Sequence, residues 1–448
     1  MTERTLLIAP PFYRLMGSHF NGLHLGISYI AAVLKQHGHD VSVYNADYSD
    51  TSEYLDQQQL FHNFDDYKQI LNDLEHPIWN EIKANISGYA PDYVGITMLT
   101  ANYKAVKNIA RIVRLVNKDI KVVVGGTHPT LDPEGTMAEI DFDYLIRGEG
   151  EFAFLELING KKEEGILGLS FRANKKVIHN PDRPFIADLD ILPFPNRDSF
   201  LNGNDHADLN FMMTGRGCPF SCSYCVSPQF WHRKVRFRSV ENVIEEIEYL
   251  NSEDKSSVIH FVDDTFTLQK DRAKAICQGL IDRHINVNWV CDTRADCLDE
   301  ELIDLMKRSG CVRVKLGVES GSDKMLEKMH KGVTTKEIRR VVSIIKDRAI
   351  PLTIYLMTGF PDETEADLKQ TIQFARELDV DYYSLSILSP YFGTEVWNDL
   401  VKSGRALDKE HWEYFYHQSH EMLVNDSLSL EIVEEFFTLD KQGRGKRL

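Results

Sequence analysis

The sequence predicts an α/β protein made of two successive strand–helix alternations: an open parallel sheet with helices on both faces, then a curved or partial barrel of six βα units. Three observations predict it. The first half holds five apolar runs of strand length, separated by helical patterns. The second half holds six more of the same kind. Between them lies "PDRPFIADLDILPFPNRD" (181–198), with four prolines and no steady period, which reads as an extended joint.

In the first half the strand runs are "TLLIA" (5–9), "DVSVYNA" (40–46), "DYVGITML" (92–99), "KVVVGG" (121–126) and "FDYLIRGEGE" (142–151). Helical periodicity fills 25–39, stopping near Gly38, and 102–117. "ILGLSFRANKKVIHN" reads as a hairpin turning near 173–175. The second-half strands are 208–214, 258–264, 287–292, 312–318, 351–359 and 382–389, and helices such as "VENVIEEIEYLN" separate them. The expected organisation is a sheet domain over 1–160, hairpin and joint over 161–203, barrel over 204–405, and a C-terminal extension over 406–448. In open parallel sheets and in barrels alike, ligands sit at the carboxyl ends of the strands.

Composition narrows the functions. The 448 residues are 43% hydrophobic, enough for two full cores, and the net charge of −17 argues against nucleic acid as a partner. No run approaches ~18 apolar residues, so no membrane span is expected, and the N-terminus has no secretory pattern. Seven cysteines in so long a chain make no disulfide scaffold, which points to a reducing cytoplasm. Cys277, Cys291, Cys297 and Cys311 are scattered and read as small buried apolar groups.

The other three sit in "TGRGCPFSCSYC" as Cys218, Cys222 and Cys225. Structural zinc takes four ligands, and His232 as the fourth would be an unusual arrangement; a redox dithiol would need only Cys222 and Cys225 and leaves Cys218 unexplained. Iron–sulfur clusters usually take four thiolates. Three would leave one iron with an open position, which suits catalysis better than electron carriage alone.

This C-x-x-x-C-x-x-C stretch after the first barrel strand, with Tyr224 before the last cysteine, resembles the radical S-adenosylmethionine (SAM) superfamily. The resemblance implies a 4Fe-4S cluster on Cys218, Cys222 and Cys225. Its open iron would chelate SAM, and an electron from an external donor such as flavodoxin or ferredoxin would cleave SAM to a 5′-deoxyadenosyl radical. It also implies SAM-binding roles for Asp263 or Asp264 in "FVDDTFT", Arg294 in "DTRAD" and Glu319 in "KLGVESGSD"; Asp323 reads as a helix cap. "YLMTGFPDET" and "LSPYFGTE" fit the same family. "RFRS" (236–239) resembles its helix entry, with Ser239 as N-cap.

Residues 1–160 resemble the cobalamin-binding domain that precedes the barrel in one class of these enzymes, a Rossmann-like, flavodoxin-type domain. The residues that carry this are Thr97 and Thr100 in "VGITMLTANY", Gly125, Gly126, Thr127 and His128 in "VVVGGTHPTLDPE", and Gly148, Glu149 and Gly150 in "DYLIRGEGEFAFLELI". Glycines there would let strand-end backbone approach a flat corrin. The D-x-H-x-x-G motif that places histidine on cobalt is missing, and His128 has no Asp two residues before it. A corrin without a histidine ligand is expected, although His19 and His24 are alternatives. "GEGEF" is not the G-x-G-x-x-G of dinucleotide binding and does not follow the first strand. The whole implies a cobalamin-dependent radical SAM methyltransferase (class B type) acting on a small molecule, or a cyclase or rearrangement enzyme with the same cofactors.

Overall fold

A computed structural model describes residues 3–51, 54–174, 176–201, 207–253, 258–405, 410–419, 421 and 423–442. Lys175, where the hairpin turn was expected, and the basic tail 443–448 lie outside them. The chain divides into two compact units. The first comprises Met1–Leu55, Asn63–Leu209 and Ala406–Phe415; the second comprises Asp56–His62, Asn210–Arg405 and Tyr416–Leu448.

The first unit is a sheet of seven strands: β1 (Arg4–Ala9), β2 (Asp40–Asn45), β3 (Tyr93–Thr97), β4 (Lys121–Gly125), β5 (Tyr144–Ile146), β6 (Leu169–Ala173) and β7 (Lys176–His179). Their order is β2-β1-β3-β4-β5-β6-β7, and the first five are parallel. That is the flavodoxin-like order, and its switch point lies between β1 and β3. Strand centres such as Leu6, Ile8, Val94, Val122 and Val124 are fully buried, because helices cover both faces. The helix Tyr103–Val116 turns Val106, Ile109 and Val113 inward and its lysines and arginines outward.

Two expectations need correction. The hairpin β6–β7 is no separate linker: β6 pairs antiparallel with β5 and extends the same sheet. The proline-rich joint is extended, but it lies along the first unit. Asn196 N donates to Ser28 O, Val43 N donates to Ser199 O, and Leu201 N donates to Val43 O. Prolines remove donors, so such a segment satisfies itself by accepting from and donating to a neighbouring edge at single points.

The second unit contains β8 (Phe211–Met212), β9 (Gly215–Arg216), β10 (Arg236–Phe237), β11 (Val258–Phe261), β12 (Asn288–Thr293), β13 (Cys311–Glu319), β14 (Leu352–Thr358) and β15 (Tyr382–Ile387). Six of them form a parallel sheet in the order β15-β14-β13-β12-β11-β8, and β9 and β10 form a small ribbon. Each crossover is a helix. The helices Glu300–Arg308, Thr335–Asp347 and Glu365–Leu378 start at Asp299, Thr334 and Thr364, whose side chains accept from backbone N–H groups in the first turn. Ile259, Cys291, Leu316, Leu356 and Leu385 point outward into one core beneath these helices. Cys277, Cys291, Cys297 and Cys311 are all buried, as expected. From the C-terminal stretch, Phe436 and Phe437 complete this second core, while Trp412 packs in the first unit against Tyr103. No helix among the described residues is long and apolar enough to cross a membrane.

Candidate active site

The cysteine loop follows β9 and is closed at its base by the β9–β10 ribbon, where Gly215 and Arg216 pair with Phe237 and Arg236. The glycines of "GRG" belong to this closure. A Cβ on Gly215 would stand 2.7 Å from the Phe237 ring, and one on Gly217, at φ +100°, only 2.1 Å from the Lys234 carbonyl oxygen. Farther along, the loop is pinned by backbone: Ser223 N and Oγ donate to Met329 O and Lys328 O at 3.1 Å, and Val396 N donates to Ser223 O.

Cys218, Cys222 and Cys225 are half-buried, unlike the other four cysteines. Ser227 N donates to Cys225 Sγ at 3.4 Å. Arg294 Nη1 lies 3.6 Å from Cys222 Sγ, and its guanidinium stacks 3.7 Å over the Phe220 ring, braced by Asp296. Burial, with the neighbouring sulfurs and Asp264, pushes the Cys225 thiol up to about 12. Metal loading therefore has to expel protons. No three His, Cys, Asp or Glu side chains among the described residues gather as the shell of one metal ion. Three thiols on one loop, with an amide and a guanidinium aimed at the sulfurs, fit a cluster that offers each sulfur its own iron.

Asp263 and Asp264 have different surroundings. Asp263 is buried and both its oxygens accept from Thr214, at 2.8–3.1 Å from N and Oγ1, so it holds the chain between β8 and β9. Burial raises its carboxyl to about 6. Asp264 is the acid beside the sulfurs, and it accepts from Ser227 Oγ at 2.9 Å. Glu319 ends β13 with φ +68°, a left-handed conformation uncommon outside glycine. Its Oε1 accepts from Lys331 Nζ at 2.7 Å, and both groups are buried. Tyr224 hydrogen-bonds Glu319 and meets the Phe360 ring edge-on at 6.0 Å. Asp323, expected as a cap, starts its helix after Ser322 and accepts from Thr335 N at 2.7 Å, which ties the next helix down. Ser239 does accept from Asn242 N at 3.1 Å, as an N-cap should.

In the first unit the carboxyl edge carries every expected position. Thr97 ends β3; Gly125 ends β4 with room beside it, since a Cβ would meet only Ile146, at 3.5 Å from its O and 4.0 Å from its Cβ. Gly148, at φ +71°, has nothing within 4 Å of where a Cβ would stand. Such open backbone at the carboxyl ends of parallel strands fits a broad, flat ligand. Gly126 has a nearer reason: its Cβ would stand 2.6 Å from Met98 O. Glu149 is turned to the joint, accepting from Ile186 N at 2.7 Å. His128 is buried between the Tyr103 and Trp412 rings, with Nδ1 3.0 Å from Thr100 Oγ1, and desolvation lowers it to about 3, so it is neutral. The sequence reading missed Asp47, whose buried Oδ1 accepts from Phe12 N and Arg14 N and shapes the loop after β1.

Residues 212–375 match the Radical SAM superfamily, and residues 18–158 match the B12 binding domain. The chain is 34% identical over 416 residues to an uncharacterized methyltransferase of Pyrococcus horikoshii, PH0819, covering 90% of this chain and 84% of that one. The chain belongs to the cobalamin-binding radical SAM enzymes. It is also 29% identical over 362 residues to the anaerobic magnesium-protoporphyrin IX monomethyl ester cyclase of Rubrivivax gelatinosus, with coverage of 77% and 64%. Its fold is that of TsrM from Kitasatospora setae, a radical SAM methyltransferase solved with cobalamin and a 4Fe-4S cluster bound, at TM-score 0.69 and 20% identity over 90% of this chain and 78% of that one.

Within this radical SAM enzyme, the residues that escaped sequence reading are those that serve Glu319 and the sheet's inner face. Lys331 supplies the buried cation, and Gly317 makes room for it: a Cβ there would lie 2.7 Å from Lys331 Nζ. Tyr355 donates its hydroxyl to Asp292 Oδ1 at 2.5 Å, on the inner side of β14 and β12.

Proposed function

We propose that this enzyme methylates an unactivated carbon of a small metabolite, and that it works in the cytoplasm with flavodoxin or ferredoxin as electron donor. One observation carries the reading: a three-thiol loop of this family sits in the same chain as a B12-binding domain, and the most similar relative given above is a methyltransferase. When bound, the cluster, SAM and cobalamin supply an electron, a hydrogen-abstracting radical and a methyl carrier.

The chain's own groups have the following roles. Cys218, Cys222 and Cys225 would hold the cluster, with Ser227 N–H and Arg294 withdrawing charge from two of the sulfurs. Glu319, paired with Lys331 and oriented by Tyr224, would accept hydrogen bonds from a polar part of SAM, with Asp264 nearer the sulfurs. Asp263 positions the loop. Thr97, Gly125, Gly126, Thr127, Gly148 and Gly150 would form the backbone floor for the corrin, and neutral His128 would stay in its aromatic cage.

Anaerobic purification from cobalamin-fed cells, followed by mass spectrometry of the released small molecules, tests the cofactor set. Bound corrin with iron and sulfide in equal amounts is expected; a cluster-loaded protein that takes up no corrin overturns the reading. The relative from Rubrivivax gelatinosus favours a second reading, cyclisation without methyl transfer. Under it, 5′-deoxyadenosine forms but the product gains no carbon.

A further inference from the structure

Parallel strands covered on both faces read as continuous apolar runs. β13 does not: along "VRVKLGV" every second residue breaks the pattern. Val314, Leu316 and Val318 enter the core under the helices, so Arg313, Lys315 and Gly317 lie on the other, inner face of the sheet. The neighbouring strands agree. Asp292 and Tyr355 are only half-buried, while the outward residues beside them, Cys291 and Leu356, are 0–1% exposed. The inner face of the sheet is a polar wall that its own unit leaves partly open.

The charges on this wall are not paired with one another. Lys315 stands in register with Asp292, yet no ion pair joins them, and Lys315 Nζ has no hydrogen-bond partner among the described residues. Asp292 takes its hydrogen bond from Tyr355 instead. Burial raises the Asp292 carboxyl, against the pull of Lys315, Tyr355 and His260, which weakens it further as a counterion. Two residues along the same face, Arg313 is 8% exposed and lies 3.8 Å over the Tyr382 ring. Its Nε and Nη2 have no hydrogen-bond partner among the described residues. Arg313 keeps two buried donors without a partner beside Tyr382 and Asp381, and Lys315 stands half-buried two residues along the same face, so an anion placed there would meet two cations.

We propose that Lys315 and Arg313 form an anion subsite on the inner face of β13 that holds a carboxylate or phosphate-type group of the substrate. That this anion belongs to the substrate of the methyl transfer rests on the reading above; the subsite itself does not. Glu319 is four residues beyond Lys315 and six beyond Arg313 along β13, so roughly 13 to 20 Å of strand separates these cations from the SAM-facing end. The substrate is then a small anionic molecule with its reacting carbon about that far from its charged group. Among carboxylate-binding side chains, arginine is suited to a planar bidentate anion and lysine to a point charge, so the pair can serve either oxyanion.

The test is calorimetric titration of the anaerobically purified enzyme with inorganic phosphate, with acetate, and with neutral acetamide as control. Saturable binding of phosphate or acetate is expected, and which of the two binds tells a phosphate-type group from a carboxylate. K315M should weaken it at least tenfold, K315R should stay within about threefold, and R313Q should weaken it severalfold. Binding of neither anion by the wild type, or K315M binding within twofold of it, overturns the proposal. Corrin content and dithionite-driven SAM cleavage, measured on the same samples, report on the methyl-transfer reading separately. Both should be unchanged in K315M, which also shows that the variant is folded.

Discussion

Glu363 is fully buried, and its Oε2 accepts from Gly359 N at 2.6 Å and Thr358 Oγ1 at 3.0 Å. Its Oε1 has no partner among the described residues, and burial lifts the carboxyl from 4.5 to about 7. Between those values the folded chain binds more protons than the unfolded one. The stabilisation is complete below about pH 4.5 and is lost as pH rises through 7, on the order of 3 kcal/mol in all. E363Q keeps the acceptor and cannot ionise. Its thermal midpoint should gain on the wild type from pH 5 to pH 8; parallel midpoints across that range would show that Glu363 does not titrate there. At this scale the sequence was legible where covalent spacing does the work. Cys218, Cys222 and Cys225 share one loop because they are seven residues apart at most. Lys331 was not legible: it reaches Glu319 only after a helix and a turn, and nothing local marks it. Nor does "VDD" itself say that Asp263 serves Thr214 while Asp264 stands by the sulfurs.

Among elements, the β9–β10 ribbon matters most to the site, because it fixes where Cys218 begins. Gly217 has both a left-handed φ of +100° and a carbonyl 2.1 Å from any Cβ. Gly217→Ala has to open the ribbon or strain the loop, at about 1–3 kcal/mol for the backbone alone. Iron and sulfide retained after anaerobic reconstitution should fall below about half of the wild-type content; full loading at an unchanged thermal midpoint would contradict this role. The ribbon was invisible in the sequence, since two-residue strands leave no periodicity. The longer strands were visible because helices cover both faces of the first sheet and the outer face of the second, which makes the strands apolar on those sides. The alternation in β13 was also there to be read, and it marks the open inner face. The hairpin was recognised, but its attachment to β5 depends on pairing across more than twenty residues, which local pattern does not encode.

For the whole molecule, the order of the two matched regions, B12-binding before radical SAM, was legible because each has its own strand–helix alternation and its own strand-end signals. The chain's path between units was not. A short helix at Gln57–His62 belongs to the second unit, its Phe61 packed on Phe437, and Trp412 belongs to the first. Such exchanges follow from which apolar face is left uncovered, and that is settled only when the units have folded. The substrate remains the feature least written in the sequence, and the anion subsite on β13 narrows it to small carboxylates or phosphate-type esters. The most direct measurement of the central claim follows the methyl group. The cluster-loaded, cobalamin-loaded enzyme is given trideuteromethyl-SAM, a reductant and extracts fractionated for small anions. A product heavier than its precursor by one trideuteromethyl group in place of hydrogen, formed together with 5′-deoxyadenosine, is predicted. Turnover that yields 5′-deoxyadenosine and a changed product without the label would contradict it.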